Sequence, residues 1–272
     1  MDDNLKQEIK ENLEASIRKF FKGKKVKTTH VLDNIFPAER RIRSLIGGLE
    51  TSMGTTVWEP LAKTLARNNG FQIIEENILR PEPFPDLIGR ELDSLRTQRE
   101  TNTLSTYECK NRLKTAAVKV NKINNNLQYV SPPPGNGVDI YLSKDDKEYA
   151  FDIKTTGPNK GDFKKFNIQL LEWYAYRLCR NPDANFEARI IIPFNPNKKD
   201  WYEHNKSKIP PLNPSEDIWV KNEFWDFCSG HNNTWNEILQ IFVQLGNENF
   251  GKEFEDIFYQ KKQETEQMDL EL

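Results

Sequence analysis

The stretch from Val138 to Phe194 constrains the chain most. VDIYL (138–142) and EYAFDIKTT (148–156) are apolar runs separated by the turn SKDDK, so they read as an antiparallel hairpin. The polar, glycine-bearing segment GPNKGDFKKFN (157–167) reads as a loop. IQLLEWYAYRLCR (168–180) then places Ile168, Leu171, Tyr174 or Ala175, and Leu178 along one side of a helix. RIIIPF (189–194) is continuously apolar, the pattern of a strand covered on both faces. A hairpin, a helix and a doubly covered strand in that order require a crossover between parallel strands. The expected class is α/β: a mixed β-sheet flanked by helices.

The flanks are expected to add helices. Leu5, Ile9, Leu13 and Ile17 recur every four residues among charges, which makes an amphipathic helix that ends near Gly23. Its apolar stripe can pack on its own core or on a second copy of the chain. Pro37 suits a helix start, and Gly47-Gly48 is expected to interrupt that helix. Thr55 or Thr56 can cap a further helix carrying Val57, Leu61, Leu65 and Ala66, stopped by Gly70. QIIEENI reads as a short strand, the prolines at 81, 83 and 85 as a loop, and SPPPGNG (131–137) as another. Residues 201–235 look irregular and aromatic. Closing helices are expected around Trp235–Leu245 and Phe250–Phe258, before a frayed acidic tail after Lys262. The expected organisation is a mainly helical region over 1–70, a candidate dimerisation element, and a catalytic domain with C-terminal helices over 71–272.

Bulk properties exclude some partners. Among 272 residues, Cys109, Cys179 and Cys228 are too scattered for a zinc ribbon or a redox pair, and their odd number fits a reducing cytoplasm. The start, MDDNLKQEIKENLE, lacks an apolar signal core, and no apolar run reaches membrane-spanning length, so a soluble, cytoplasmic protein is expected without a membrane partner. Nothing in the pattern calls for an organic cofactor. A formal net charge of -2 is unlike the strongly basic balance common in nucleic-acid binders, although a local basic groove is compatible with it.

The chemistry concentrates on the hairpin. Asp139 lies on its first strand, and Asp152 and Lys154 on its second. Residues two apart on a strand share a face, so Asp152 and Lys154 project together while Ile153 turns to the core. Antiparallel pairing brings Asp139 towards Asp152. Two carboxylates at one point repel and call for a cation, and hard oxygen donors suit Mg2+, which keeps waters and binds substrate phosphate. A lysine beside them can orient or deprotonate the attacking water, or neutralise charge on phosphorus. The sequence also holds a rival set, Asp86, Glu108 and Lys110, but no apolar strand leads into Glu108. His30, His204 and His231 are isolated and read as surface or loop residues.

Asp139 followed by Asp152-Ile153-Lys154 resembles the PD-(D/E)XK motif of restriction-endonuclease-like nucleases, and the order of elements around it is similar to their core. The residue before Asp139 is Val138, where that family often has proline. RSLIGGLETSMGTTVWEPLAKTLARNNGF (43–71) is similar to the N-terminal signature of type II restriction endonucleases that cut GGNCC-type sites (RGGNCCY or GGNCC). The resemblance runs from about residue 40 to about residue 200. It implies a restriction-endonuclease-like fold, a homodimer, and magnesium-dependent cleavage of double-stranded DNA at an interrupted palindrome. It makes Asp139, Asp152 and the backbone carbonyl of Ile153 the metal donors, with Glu59 or Glu108 as a further acid. Basic residues near such a site become candidates for phosphate contacts: Lys110, Arg112 and Lys114, and Lys160, Lys164 and Lys165 in the segment after the motif. Two other readings use the same core: a repair or junction-resolving nuclease, and a DNA-binding protein whose core has lost its chemistry.

Overall fold

The computed structural model describes residues 1–26, 29–101, 104–123, 126–154, 157–214 and 216–259. The chain divides into two units, one of Trp58–Trp235 with Met1, the other of Asp2–Val57 with the residues from Asn236 onwards.

In the second unit, helix α1 (Asp3–Phe21) starts at Asp2, whose carboxylate accepts from the Leu5 N–H at 2.8 Å, and buries Leu5, Ile9, Leu13 and Phe21. Helix α2 (Pro37–Met53) begins at Pro37 as expected but runs straight through Gly47-Gly48. Glycine costs an interior helical position only about 1 kcal/mol, and here it has a use. A Cβ on Gly48 would stand 3.5 Å from the Phe20 ring, so the small residue leaves that ring room. Phe21, Leu45 and Phe254 form the centre of this unit's core. A π turn (Gly54–Trp58) continues from α2, and no threonine cap separates it from the next helix.

The first unit opens with helix α3 (Glu59–Asn68), followed by Gly70 at φ +78°, a left-handed stop. α3 thus falls with the sheet, although it lies in the span expected of the N-terminal region. Strands β1 (Gln72–Ile73), β2 (Arg80–Glu82), helices α4 (Asp86–Glu100) and α5 (Thr106–Ile123), and strand β3 (Gln128–Val130) come next. The hairpin is β4 (Ile140–Lys144) and β5 (Lys147–Ile153), turned by Asp145 and Asp146 at positive φ. Helix α6 (Lys160–Arg180) leads to β6 (Phe186–Ile192), which pairs parallel with β5 as the crossover required. The expected irregular region contains helix α7 (Trp201–Asn205), strand β7 (Ile218–Val220) and helix α8 (Asn222–Ser229). The sheet order is β1-β4-β5-β6-β7, antiparallel from β1 to β5 and parallel from β5 to β7. A separate ribbon pairs β2 with β3. Helix α9 (Thr234–Asn247) and a short helix α10 (Glu255–Phe258) close the described chain. The acidic tail after Lys262 lies outside the described residues.

The fold is therefore mixed α/β, a five-stranded sheet with helices on both faces and extra helices at both ends. Helices α4, α5 and α6 cover one face around Leu113, Leu170, Tyr174 and Ile190. An aromatic layer of Tyr149, Phe151, Trp219, Phe224 and Phe227 covers the other. One buried ion pair ties distant parts together. Arg99, at the end of α4, meets Asp217, just before β7; Thr106 Oγ1 donates to the same carboxylate at 2.9 Å and the Asn213 N–H at 2.8 Å. Among the described residues no helix is long and apolar enough to cross a membrane.

Candidate active site

The central strand β5 orients the site by alternation. Phe151 and Ile153 are buried, and Phe151 sits in the aromatic layer against Trp219, Phe224 and Phe227. Asp152 must therefore face the other way, where it is only 4% exposed. Asp139 immediately precedes β4. Its N–H donates to the Phe151 carbonyl at 3.0 Å, and its Oδ2 accepts from the Ile153 N–H at 2.7 Å. The first aspartate is thus fixed on the backbone between Asp152 and Lys154. Lys154 is held by its N–H on the Ile191 carbonyl at 2.9 Å. Its Nζ lies 2.5 Å from Asp152 Oδ2 and 5.5 Å from the centre of the Phe166 ring.

Electrostatically the cluster is short of positive charge. Asp139 is pushed up to about 7, first by burial, then by the Asp152 carboxylate and more weakly by Glu59; the Ile153 N–H and Lys154 act in the opposite sense. Glu59, the first residue of α3, is half-buried and also raised, by desolvation above all and by Asp152, with Lys63 opposing. Asp152 Oδ2 is buried and accepts no hydrogen bond; Lys154 faces it as an ion pair outside hydrogen-bond geometry. A buried carboxylate is costly unless a cation accompanies it, and here the Lys154 ammonium does so for Asp152. Among the described residues no three His, Cys, Asp or Glu side chains form a ready metal cage. Glu59 is coupled electrostatically to both aspartates. Two carboxylates with room for waters and substrate oxygens are the kind of set that Mg2+ accepts, so the residues fit the ion.

The other predicted residues divide. Glu108 lies in the first turn of α5, exposed, where it accepts from Ser105 N–H at 2.8 Å and Ser105 Oγ at 2.7 Å, and these bonds lower its pKa. It caps its own helix. The rival set is not assembled: Asp86 starts α4, and Glu108 and Lys110 are two apart on α5, where side chains diverge. Lys110 pairs with Glu187 at 3.3 Å, Arg112 with Glu91 at 2.5 Å and Lys114 with Asp183 at 2.9 Å. Glu187 sits opposite Tyr149, three residues along β5 from Asp152 and towards the far end of the sheet. These three cations are not brought to the aspartates. Lys160, Lys164 and Lys165 stand on the first turns of α6, at the site's end of the sheet; Lys164 pairs with Glu100 at 2.8 Å, and Lys165 lies 3.9 Å from Asp162. The expected loop 157–167 is mostly helix, because Asn159 and Asp162 form a capping box and Phe163 and Phe166 are buried.

Asn77 carried no signal in the sequence. Its Oδ1 accepts from the Ile78 N–H at 3.0 Å and the Val138 N–H at 3.2 Å, steadying the approach to Asp139. A Cβ on Gly137 would come within 2.6 Å of Asn77 Nδ2, so that close approach needs glycine. Proline at 138 would forfeit the donated N–H, which gives Val138 a reason here. Trp173 donates from Nε1 to the Asn136 carbonyl at 2.8 Å and steadies the same segment.

Fold and geometry together define a mixed α/β protein whose β4–β5 hairpin brings two aspartates and a lysine together at the C-terminal end of the central strand. Residues 1–246 match the family model described as "Type II restriction endonuclease, HinfI", and the chain belongs to that family. It is 24% identical over 220 residues to the type II restriction enzyme MjaII of Methanocaldococcus jannaschii, covering 77% of this chain and 56% of that one. Two enzymes of Herpetosiphon aurantiacus are also similar: HgiEI, 25% identical over 134 residues (46% of this chain, 48% of that one), and HgiCII, 27% over 110 residues (40% and 39%). The matched regions thus span between 39% and 56% of these relatives' lengths. No solved structure matches the chain.

Proposed function

We propose that this chain is a type II restriction endonuclease, hydrolysing phosphodiester bonds in double-stranded DNA at an interrupted palindrome of GGNCC type with Mg2+. The observation that carries the reading is the meeting of the buried Asp152 carboxylate, the Asp139 carboxylate held on the Ile153 N–H, and the Lys154 ammonium 2.5 Å from Asp152 Oδ2. The five-stranded mixed sheet supports a restriction-endonuclease-like core. Asp139, Asp152 and the Ile153 carbonyl would hold the metal, with Glu59 adding negative field. When bound, Mg2+ makes water a better nucleophile and offsets charge on phosphorus.

The chain's own residues do the rest. The Ile153 N–H keeps the Asp139 carboxylate turned into the cluster. Lys154, paired with Asp152 and beside the Phe166 ring, is placed to orient the incoming water or to neutralise charge on a phosphate oxygen. Burial of Asp152 removes competing water from the charges that must act. Lys160, Lys164 and Lys165 are proposed backbone contacts at this end of the sheet. Lys110, Arg112 and Lys114 are proposed only as outlying ones.

A two-fold site on DNA is met most economically by a two-fold dimer. The helical region over 1–70 is the proposed dimerisation element. Val31, Ile35 and Phe36 support it, being 75%, 65% and 50% exposed in one short stretch. The GGNCC type of target rests on the likeness of residues 43–71, and a cytoplasmic location is proposed with it.

The test is incubation with plasmid DNA and Mg2+, followed by sequencing of the fragment ends. Discrete fragments sharing one interrupted palindrome are expected, with Ca2+ allowing binding without cutting. Nicking confined to branched or damaged DNA would indicate a repair nuclease instead.

A further inference from the structure

A cleft of about 130 Å³ opens beside Lys154, in the first unit, and the mechanism above makes no use of it. Its walls bring Lys154 together with Asn197, His204, Asn205 and Lys208 over Trp201. No acidic side chain lines it among the described residues. That is unusual in a chain with 41 acidic and 39 basic residues, where most cations near the site already have a carboxylate. Room for several waters is also room for one tetrahedral phosphate group.

The cleft is built and held in shape. Trp201 is 3% exposed and packs edge-on against Phe163 of α6. The Pro193 carbonyl is fixed by Trp225 Nε1 at 2.7 Å. Asn195 accepts from the Asn197 N–H at 2.9 Å and donates to the Lys199 carbonyl at 2.9 Å, so the loop after β6 is braced from within. Asn205, 5% exposed, donates to the Trp201 carbonyl at 2.9 Å. Its Oδ1 meets Lys208 Nζ only at 3.5 Å, a long contact that leaves most of that ammonium's donor capacity available.

We infer that this cleft is a phosphate subsite, seating the DNA phosphodiester next to the one being cut, with Lys208 and His204 as positioning residues. The inference rests on the nuclease reading and extends it. Lys154 forms a wall of both places, so a strand running past the aspartates and into the cleft is held at two consecutive phosphates. A second hold fixes the line of the scissile bond against the attacking water, which a single contact leaves free to swing. The contacts are to backbone, so the subsite contributes affinity and register without reading bases.

The test uses the full chain, with Lys208→Gln, Lys208→Arg and His204→Gln variants checked for an unchanged thermal melt. Binding to a duplex carrying the wild-type cut site is measured in Ca2+ across a salt series. Lys208→Gln is expected to weaken binding roughly five- to tenfold near 0.1 M salt and to flatten the salt slope by about 0.9, equally on an unrelated duplex. Lys208→Arg restores both, and His204→Gln moves them less. A methylphosphonate at the phosphate beside the cut weakens the wild type and adds nothing to Lys208→Gln. Wild-type affinity and slope in a Lys208→Gln/His204→Gln double variant, in a protein that cuts plasmid, overturn the subsite and leave the nuclease reading intact. A wild type that neither binds nor cuts duplex DNA overturns both.

Discussion

Asp139 shows what the site costs the folded chain. Its carboxyl is held near 7 in the fold against an ordinary 3.8, so between those values the folded chain binds a proton that the unfolded chain has released. That contribution to stability is complete below about 3.8 and is lost as pH rises through about 7. Asp139→Asn keeps an acceptor for the Ile153 N–H and removes the charge. We expect the variant to melt higher than wild type at pH 8, by a margin on the order of 1–3 kcal/mol, with the difference vanishing near pH 4. Millimolar Mg2+ should stabilise the wild type and leave the variant unmoved, because ligand binding to the fold adds to its stability. A variant that melts lower at pH 8 would mean that the carboxylate is no burden. At this scale the two aspartates and Lys154 were legible because strand alternation is local. The approach of Glu59 was not, since it depends on how α3 lies against the sheet. His204 and Lys208 join Lys154 only through the path of the chain after β6.

Among the elements, the hairpin, α6 and β6 followed from pattern, and the misread ones share a cause. The start of α6 looks like a loop because Gly157 and Gly161 flank polar residues, yet Asn159 and Asp162 satisfy its first N–H groups and two phenylalanines anchor it. Strand β7 has three residues, too few for a period; it pairs with β6, and Asp217, just before it, is held by a buried partner more than a hundred positions away. That partner is Arg99, and the pair carries a prediction. Asp217→Ala leaves a fully buried guanidinium without its carboxylate and strips acceptors from Thr106 and the Asn213 N–H. A loss on the order of 3–5 kcal/mol in urea unfolding is expected. A loss below about 1 kcal/mol would mean that α4, α5 and β7 are joined by other contacts.

At the scale of the whole molecule, the chain divides into a sheet unit that carries the candidate site and a helical unit, and the proposed two-fold DNA target asks for a dimer. The exposed stretch around Ile35 belongs to the helical unit, so the dimer proposal concerns that unit and not the aspartates. Wild type is expected to sediment as a dimer, and Ile35→Glu as a monomer with an unchanged melt that nicks rather than linearises plasmid. A wild-type monomer that cuts both strands would contradict the arrangement. The central claim, that Asp139, Asp152 and Lys154 cut DNA with a divalent metal, is tested most directly by one comparison. Supercoiled plasmid is incubated in Mg2+ with wild type and with folded Asp152→Asn. Discrete fragments from the wild type and intact plasmid with the variant, still bound in a gel-shift assay, are predicted; equal cutting by Asp152→Asn would contradict the claim.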